Sequence, residues 1–396
     1  MRVLGIETSC DETAICLIDA EGDFGSDFNF QVLGNSLISQ TAIHAQYGGV
    51  FPNLAKREHA RNLVPMLEQA LHEAGILKEE RGSAPMKEIE EILARELELY
   101  AQLSVFLQKY AKPEIDAIAV TVGPGLEPAL WVGVNFAKAL SKVWNIPVVA
   151  VNHMEGHVVM SLVECGSVRN PNTSFLNEVL GLKPFRFPLL ALLISGGHTE
   201  LVLSKKWQSY EILGATRDDA VGEAYDKVAR LLGLPYPGGP EISRLAEEAR
   251  TKNLEAKFKL PRPMLHDDNY EFSFAGLKTA VRRMVEAEPL NDEKKLLIAR
   301  EFEDAVANVL VGKTIRAADE YGVQAVVVGG GVSANTHIRA RLREESEKAD
   351  VQLLVPMPEF ATDNALMIAL AGYFYAKNGN YAKPEDLKAE GNLRLK

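Results

Sequence analysis

Two histidines four residues apart, His153 and His157, directly follow the apolar run Pro147–Val151, and Thr362-Asp363-Asn364 follows a second such run about two hundred residues later. On a helix, residues four apart lie one turn above each other on the same face. Two imidazoles at that spacing reach a single ion at about 2.0–2.2 Å. The alternative is a pair of surface or helix-capping histidines. The chain holds only eight histidines, and the other polar turns described below converge on the same region, which favours the metal clamp. The same pair also suggests a zinc protease, whose glutamate directly follows the first histidine or directly precedes the last. Here Glu155 lies midway. At about 100° per residue it projects roughly 160 to 200° away from both rings, where it cannot easily activate a water held by them. Glu155 reads instead as a charge at a helix N-terminus or a support behind the ligands.

Composition bounds the setting of this chemistry. The 396 residues are 47% hydrophobic and 24% charged, which describes an ordinary globular chain long enough for two domains. No run approaches the roughly 20 apolar residues of a membrane span, and the opening Met1-Arg2-Val3-Leu4-Gly5-Ile6-Glu7 meets an acid too early for a signal peptide. A cytoplasmic location is therefore expected. Cys10, Cys16 and Cys165 have no metal-type spacing and read as idle thiols in a reducing compartment. A net charge of −11 argues against strong unaided binding to nucleic acid, which draws its affinity from neutralised phosphates. Local basic groups exist at Lys56-Arg57 with Arg61, at Lys257 to Arg262, at Arg282-Arg283, and at Arg339, Arg341 and Arg343.

The elements that must position the site occur twice. Val3–Ile6 and Ala14–Ile18 read as strands around the polar turn Glu7-Thr8-Ser9-Cys10-Asp11-Glu12-Thr13, and Leu189–Ile194 with Glu200–Leu203 flank Ser195-Gly196-Gly197-His198-Thr199. Ile115–Val122 ends at Gly123-Pro124-Gly125 before a helix, and Gln324–Val328 ends at Gly329-Gly330-Gly331 before Val332-Ser333-Ala334-Asn335 and a helix. Each half returns to a strand, Pro147–Val151 and Val351–Val355. The repeated order predicts an α/β protein of two actin-like (ASKHA, RNase H-like) domains with a ligand cleft between them, residues 1–165 and 166–396. His153 and His157 follow the last strand of one half and Asp363 its counterpart, so equivalent strand ends would meet at one ion.

Glycine turns let backbone N–H groups approach phosphate oxygens, with Ser195-Gly196-Gly197 the strongest instance because it ends a wholly apolar strand. Thr216 to Leu232 reads as a helix with Val221, Ala224, Tyr225, Val228, Leu231 and Leu232 inward and Asp219, Glu223 and Asp226 on the other side. Pro237-Gly238-Gly239-Pro240 then makes a rigid loop.

Taken in order, these strings closely resemble the TsaD family of tRNA N6-adenosine threonylcarbamoyltransferases, which includes the KEOPS catalytic subunit. The resemblance rests on Gly5 to Thr13, His153 to His157, Ser195 to Thr199, Gly222-Glu223-Ala224-Tyr225-Asp226-Lys227, Tyr236 to Pro240, Phe272-Ser273-Phe274-Ala275-Gly276-Leu277-Lys278-Thr279, Gly329 to Asn335 and Thr362-Asp363-Asn364. It implies transfer of a threonylcarbamoyl group from threonylcarbamoyl-AMP to N6 of adenosine 37 in tRNAs reading ANN codons, with AMP leaving. It further implies that His153, His157 and Asp363 hold one Fe(2+) or Zn(2+) ion, and that Leu193, Ile194, Ser195, Gly196, Gly197, Asp226, Gly239 and Asn335 bind the adenylate. TsaB-like and TsaE-like companion proteins would be required. Asp11 and Glu12 are candidate proton-handling groups, and no serine or cysteine triad is needed because the nucleophile belongs to the RNA.

The chain departs from that pattern between about Lys78 and Lys112, where Ile89, Leu93, Leu97, Tyr100, Leu103 and Leu107 recur at helical spacing and predict an added helix. A second enlarged linker runs from Glu164 to Phe187, and Glu127-Pro128 occupies the turn after Gly125. Two further function classes remain open at this point. One is a metalloprotease, suggested only by the histidine pair; the other is an actin-like kinase or ATPase, suggested by the duplicated halves.

Overall fold

The computed structural model describes residues 1–25, 27–80, 86–164, 176 and 178–396. Cys165 and the expected domain boundary beside it lie outside the described residues. The chain forms two compact units, one of residues 1–42, 50–184 and 363–394, the other of 43–49, 185–362 and 395–396.

In the first unit the strands are β1 (Arg2–Glu7), β2 (Glu12–Glu21), β3 (Asn29–Ser39), β4 (Ala117–Gly123), β5 (Val148–Asn152), β6 (Val163–Glu164) and β7 (Val179–Leu182). Their order is β5-β4-β1-β2-β3-β7-β6. β1 pairs antiparallel with β2 and parallel with β4. In the second unit β8 (Leu189–Ile194), β9 (Thr199–Lys206), β10 (Ser209–Ala215), β11 (Ala325–Gly329) and β12 (Gln352–Leu354) are ordered β10-β9-β8-β11-β12. There too the first strand is antiparallel to the second and parallel to the fourth. Both sheets therefore share the pattern of three antiparallel strands continued by two parallel ones, the actin-like order that the duplicated sequence predicts. The parallel strands β4, β8 and β11 are apolar runs buried along their whole length, as expected of strands covered on both faces.

The helices of the first unit are α2 (Pro52–Glu73), α3 (Met86–Ile92), α4 (Leu97–Lys109), α5 (Glu127–Trp144), α6 (His153–Leu162) and α12 (Ala365–Lys377), and the short α1 (Thr41–Ala45) starts in the first unit and ends in the second. The second unit contains α7 (Val221–Leu231), α8 (Gly238–Thr251), α9 (Ala275–Ala287), α10 (Asp292–Glu320) and α11 (Thr336–Lys348). Each unit has its own apolar core.

Three local readings change. The C-terminal α12, expected in the second half, belongs to the first unit. It is apolar on nearly every face, so it is stable only where covered all round, and it packs on β1, β2, β4 and α6. Gly5 of β1 permits that approach, since a Cβ there would stand 2.4 Å from the Ala365 carbonyl oxygen. The insertion forms two helices instead of one. The break at residues 93–96 shifts the helical phase, leaving Leu97 69% exposed while Leu99 and Phe106 join Leu103 and Leu107 inside. Finally, the helix expected from Thr216 begins only at Val221, because Thr216 bridges to Phe272 and its hydroxyl bonds to the Asp219 carbonyl at 2.8 Å. Asp219 is thus in the loop before the helix.

Candidate metal centre and substrate turns

Helix α6 starts directly at the end of β5. Asn152, the last strand residue, caps it by accepting the Met154 and Glu155 amide hydrogens at 2.9 and 3.4 Å, which satisfies N–H groups that the first turn leaves without partners. His153 therefore opens the helix and His157 lies one turn on, both buried. Asp363 immediately precedes Asn364, which caps α12 by accepting the Met367 amide at 3.0 Å. One Asp363 oxygen, Oδ1, lies 3.3 Å from His153 Nε2 and 3.2 Å from His157 Nε2. The candidate ligand atoms lie within 4.8 Å of one another. Two imidazole nitrogens and a carboxylate oxygen converging this closely suit one divalent ion and leave coordination positions over for a substrate.

Composition and spacing did not single out Glu7, which completes this centre. It sits at the end of β1, wholly buried. Its Oε2 is 3.1 Å from His153 Nδ1 and accepts from the Thr121 hydroxyl at 2.6 Å, while Oε1 accepts from the Ser9 amide at 2.5 Å. A carboxylate behind the distal ring nitrogen fixes the tautomer that leaves Nε2 free to ligate. The sequence signal was a lone acid closing an otherwise apolar strand. Burial disfavours every charge here, but the fields of neighbours prevail. Glu7 is held below the ordinary carboxylate range by His153, and Asp363 well below it by both histidines. Burial likewise opposes charge on His153, yet Asp363 and Glu7 push its pKa well above that of a free imidazole. Burial lowers that of His157, and its neighbour His153 adds to this. The centre thus concentrates negative charge on Glu7 and Asp363 around one cationic position, which a metal ion can take over from the His153 proton.

Asp11 and Glu12 follow β1, and Glu12 is close enough to the centre to feel the charge of Asp363. The Thr41 hydroxyl donates to Asp11 Oδ2 at 3.2 Å and the Ser39 hydroxyl to Glu12 Oε1 at 3.1 Å. Burial, together with the charges of Asp363 and Asp11, pushes the Glu12 carboxyl up to about 9. Glu155 points elsewhere, as the helical angle predicts: its Oε2 accepts from the Tyr375 hydroxyl at 2.8 Å, tying α6 to α12. The Cys16 thiol is buried within β2 and Cys10 is half-buried.

In the second unit the glycine turns gather around the end of β8. Leu193 and Ile194 are wholly buried strand residues, so only their backbone can meet a ligand. Ser195 Oγ accepts from the Gly197 and His198 amides at 3.2 and 3.0 Å, closing the turn on itself. Gly222 backs this turn: a Cβ there would lie 2.8 Å from both Gly196 Cα and the Ser195 carbonyl oxygen. Asp226 Oδ1 accepts from the Gly238 amide at 2.7 Å and so fixes the loop that presents Gly239 at the start of α8. Asn335 stands at the start of α11. Its Oδ1 caps α11 at Ile338 N, 2.9 Å away, and its Nδ2 donates to Glu303 at 2.7 Å and Ser243 at 2.8 Å. Both ends of the amide are hydrogen-bonded within the protein. The acids Asp219 and Glu223 are paired with Lys227 at 2.5 and 2.9 Å.

The sequence profile of the TsaD family, described as tRNA N6-adenosine threonylcarbamoyltransferase, matches residues 31–81 and 105–370. The chain belongs to the TsaD family. A tRNA N6-adenosine threonylcarbamoyltransferase of Ralstonia pickettii (strain 12J) is 42% identical over 377 residues, covering 94% of this chain and 90% of that protein. Among solved structures, full-length HypF in its phosphate- and nucleotide-bound form is similar with a TM-score of 0.53 at 12% identity, over 96% of this chain and 47% of HypF. That likeness shows the fold alone. The stretch between the two matched segments of the TsaD profile contains α3 and the first half of α4, so the profile leaves most of the helical insertion unmatched. Leu103 and Leu107 are buried and α4 packs on α2, which makes the insertion a cover for the core of the first unit. Among the described residues, no helix is long and apolar enough to cross a membrane.

Proposed function

We infer that this TsaD-family transferase moves the threonylcarbamoyl group of threonylcarbamoyl-AMP to N6 of adenosine 37 in tRNAs reading ANN codons, releasing AMP. The observation that carries the reading is the arrival of Asp363 Oδ1 within 3.3 Å of both helical imidazoles in a chain of this family. His153, His157 and Asp363 would hold one Fe(2+) or Zn(2+) ion, with Glu7 orienting His153. Such an ion supplies a Lewis acid that orients the acyl group and polarises its carbonyl. Backbone groups of Leu193 to Gly197 and the Gly239 loop take the adenylate moiety, with Asp226 and Asn335 holding those segments in place. The RNA amine attacks the carbamoyl carbon, forming the C–N6 bond as the bond from that carbon to the phosphate oxygen breaks. The proton shed by N6 passes to Asp11, while Glu12, with its raised pKa, donates a hydrogen bond to the bound donor, and AMP carries away the electron pair of the broken bond. No enzyme nucleophile is used, so positioning and charge stabilisation supply the rate.

A chain of net charge −11 acts on RNA together with TsaB-like and TsaE-like companions, in the cytoplasm. The test combines the purified chain, those companions, synthetic threonylcarbamoyl-AMP and cognate tRNA, with modified nucleoside read by mass spectrometry. Product that disappears on chelation and returns with one equivalent of metal supports the reading; no product with active companions refutes it. The link from Glu155 to Tyr375 turns the glutamate between the two histidines away from the base role it would need in a metalloprotease.

A further inference from the structure

The turn carrying Asp11 and Glu12 is gripped at both ends by one imidazole. His59 of α2 is wholly buried. Its Nε2 lies 3.0 Å from the Cys10 carbonyl oxygen and its Nδ1 2.8 Å from the Thr13 hydroxyl. A carbonyl only accepts, so Nε2 carries the ring proton. The Gln40 amide nitrogen, a donor, stands 3.3 Å from Nδ1, so Nδ1 is the acceptor and the Thr13 hydroxyl donates to it. His59 thus bonds to the residue before the acidic pair and to the residue after it.

Further ties hold this stretch: the Gln40 backbone N–H donates to the Asp11 carbonyl at 2.9 Å, the hydroxyls of Thr41 and Ser39 donate to the two carboxyls, and Glu12 and Thr13 open β2 opposite Ser39 and Ile38 of β3. The inward stripe of α2 continues from His59 to Leu63 and Leu67 at four-residue intervals, all wholly buried. A leucine would fill such a position at no polar cost, whereas a buried imidazole must recover its lost hydration through hydrogen bonds. What those bonds secure is the geometry of residues 10–13.

We propose that His59 is a positioning residue for the transfer reaction: by clamping Cys10 and Thr13 it fixes the Asp11 and Glu12 carboxyls relative to the metal centre. This rests on the reading above, in which those carboxyls serve the bound donor.

The experiment compares His59→Phe, His59→Gln, Thr13→Val and the double variant Asp11→Asn/Glu12→Gln in the reconstituted reaction. Zinc affinity by chelator competition and circular dichroism are measured alongside. A misplacement of about 1 Å costs on the order of 10²-fold in rate, so His59→Phe is expected to lower kcat about 10²-fold. Zinc affinity and KM for threonylcarbamoyl-AMP should stay within about twofold of the unaltered protein, the signature of misplacement without loss of binding. Gln can donate to Cys10 and accept from Thr13, so His59→Gln should recover most of the rate. Thr13→Val, which keeps the volume and loses only the hydroxyl, should fall between them and serves if the Phe variant does not fold. In the Asp11→Asn/Glu12→Gln background, His59→Phe should add no further loss. Undiminished kcat in folded His59→Phe, or in Thr13→Val should the Phe variant not fold, overturns the proposal. A parallel drop in zinc affinity, a Gln variant no better than Phe, or an independent loss in the double-variant background does the same. Undiminished kcat in Asp11→Asn/Glu12→Gln instead strikes down the role of the carboxyls, and the proposal falls with it.

Discussion

Replacing Glu7 by Gln tests the metal centre without touching a ligand. In the native arrangement the Glu7 carboxylate accepts three hydrogen bonds, from the Ser9 amide, the Thr121 hydroxyl and His153 Nδ1–H. The isosteric amide has one oxygen. The Ser9 N–H can only donate, so it claims that oxygen, and the new NH2 then faces Thr121 and His153. An amide donor toward Nδ1 favours the imidazole tautomer with its proton on Nε2, the nitrogen 3.3 Å from Asp363 that must be bare to ligate. Loss of a supporting partner of this kind typically costs 10–100-fold in metal affinity, which corresponds to about 1.4–2.7 kcal/mol. Zinc or iron affinity measured by competition with a calibrated chelator at neutral pH should fall by that factor, with circular dichroism unchanged. Thr121→Val, which removes one of the three bonds and keeps the tautomer, should cost less than about fivefold, in line with a net hydrogen bond of about 1 kcal/mol. Metal affinity within twofold of the native value in folded Glu7→Gln would show that the carboxylate does not govern His153, and the tautomer argument would fail.

Gly222→Ala should push the Ser195–Gly197 turn away, since its Cβ would stand 2.8 Å from Gly196 Cα. Binding of threonylcarbamoyl-AMP by calorimetry should weaken at least tenfold with the metal retained, and unchanged binding would refute the placement of the adenylate there. Leu103→Ala in α4 removes a wholly buried side chain and should cost about 2–5 kcal/mol in urea unfolding, whereas a surface ornament would lose under 1 kcal/mol. Burial opposes charge on Asp304, but His337 and Arg250, 2.9 and 2.6 Å away, hold its pKa down to about 2 from the ordinary 3.8. A depressed folded-state pKa stabilises the protein above the unfolded value and is lost as pH falls through the folded one. Native protein should therefore lose on the order of 1 kcal/mol from this partly solvent-screened group between about pH 4 and 2. Asp304→Asn should lack that limb in urea midpoints taken across this window, and an identical acid limb in both proteins would contradict the assignment.

The amino-acid sequence by itself determined whatever depends on neighbours along the chain. Apolar runs ending in glycine turns located β4, β8 and β11. The repeat of strand, turn and strand marked two like halves. The four-residue interval put His153 and His157 on one face and sent Glu155 to another. Tertiary structure decided the partners. The duplicated strand order already pointed to Asp363 as the third partner, 206 residues beyond His157, but that Glu7 stands behind His153 from 146 residues earlier and that Asn335 bonds to Glu303 and Ser243 follow only from how sheets and helices pack. The same holds for Leu97, which the helical period placed inward and the break before α4 turned out to solvent, and for α12, whose all-round apolar surface demanded cover without naming the unit that would supply it. Periodicity encodes which face of an element is buried; it carries no record of what will be packed against that face.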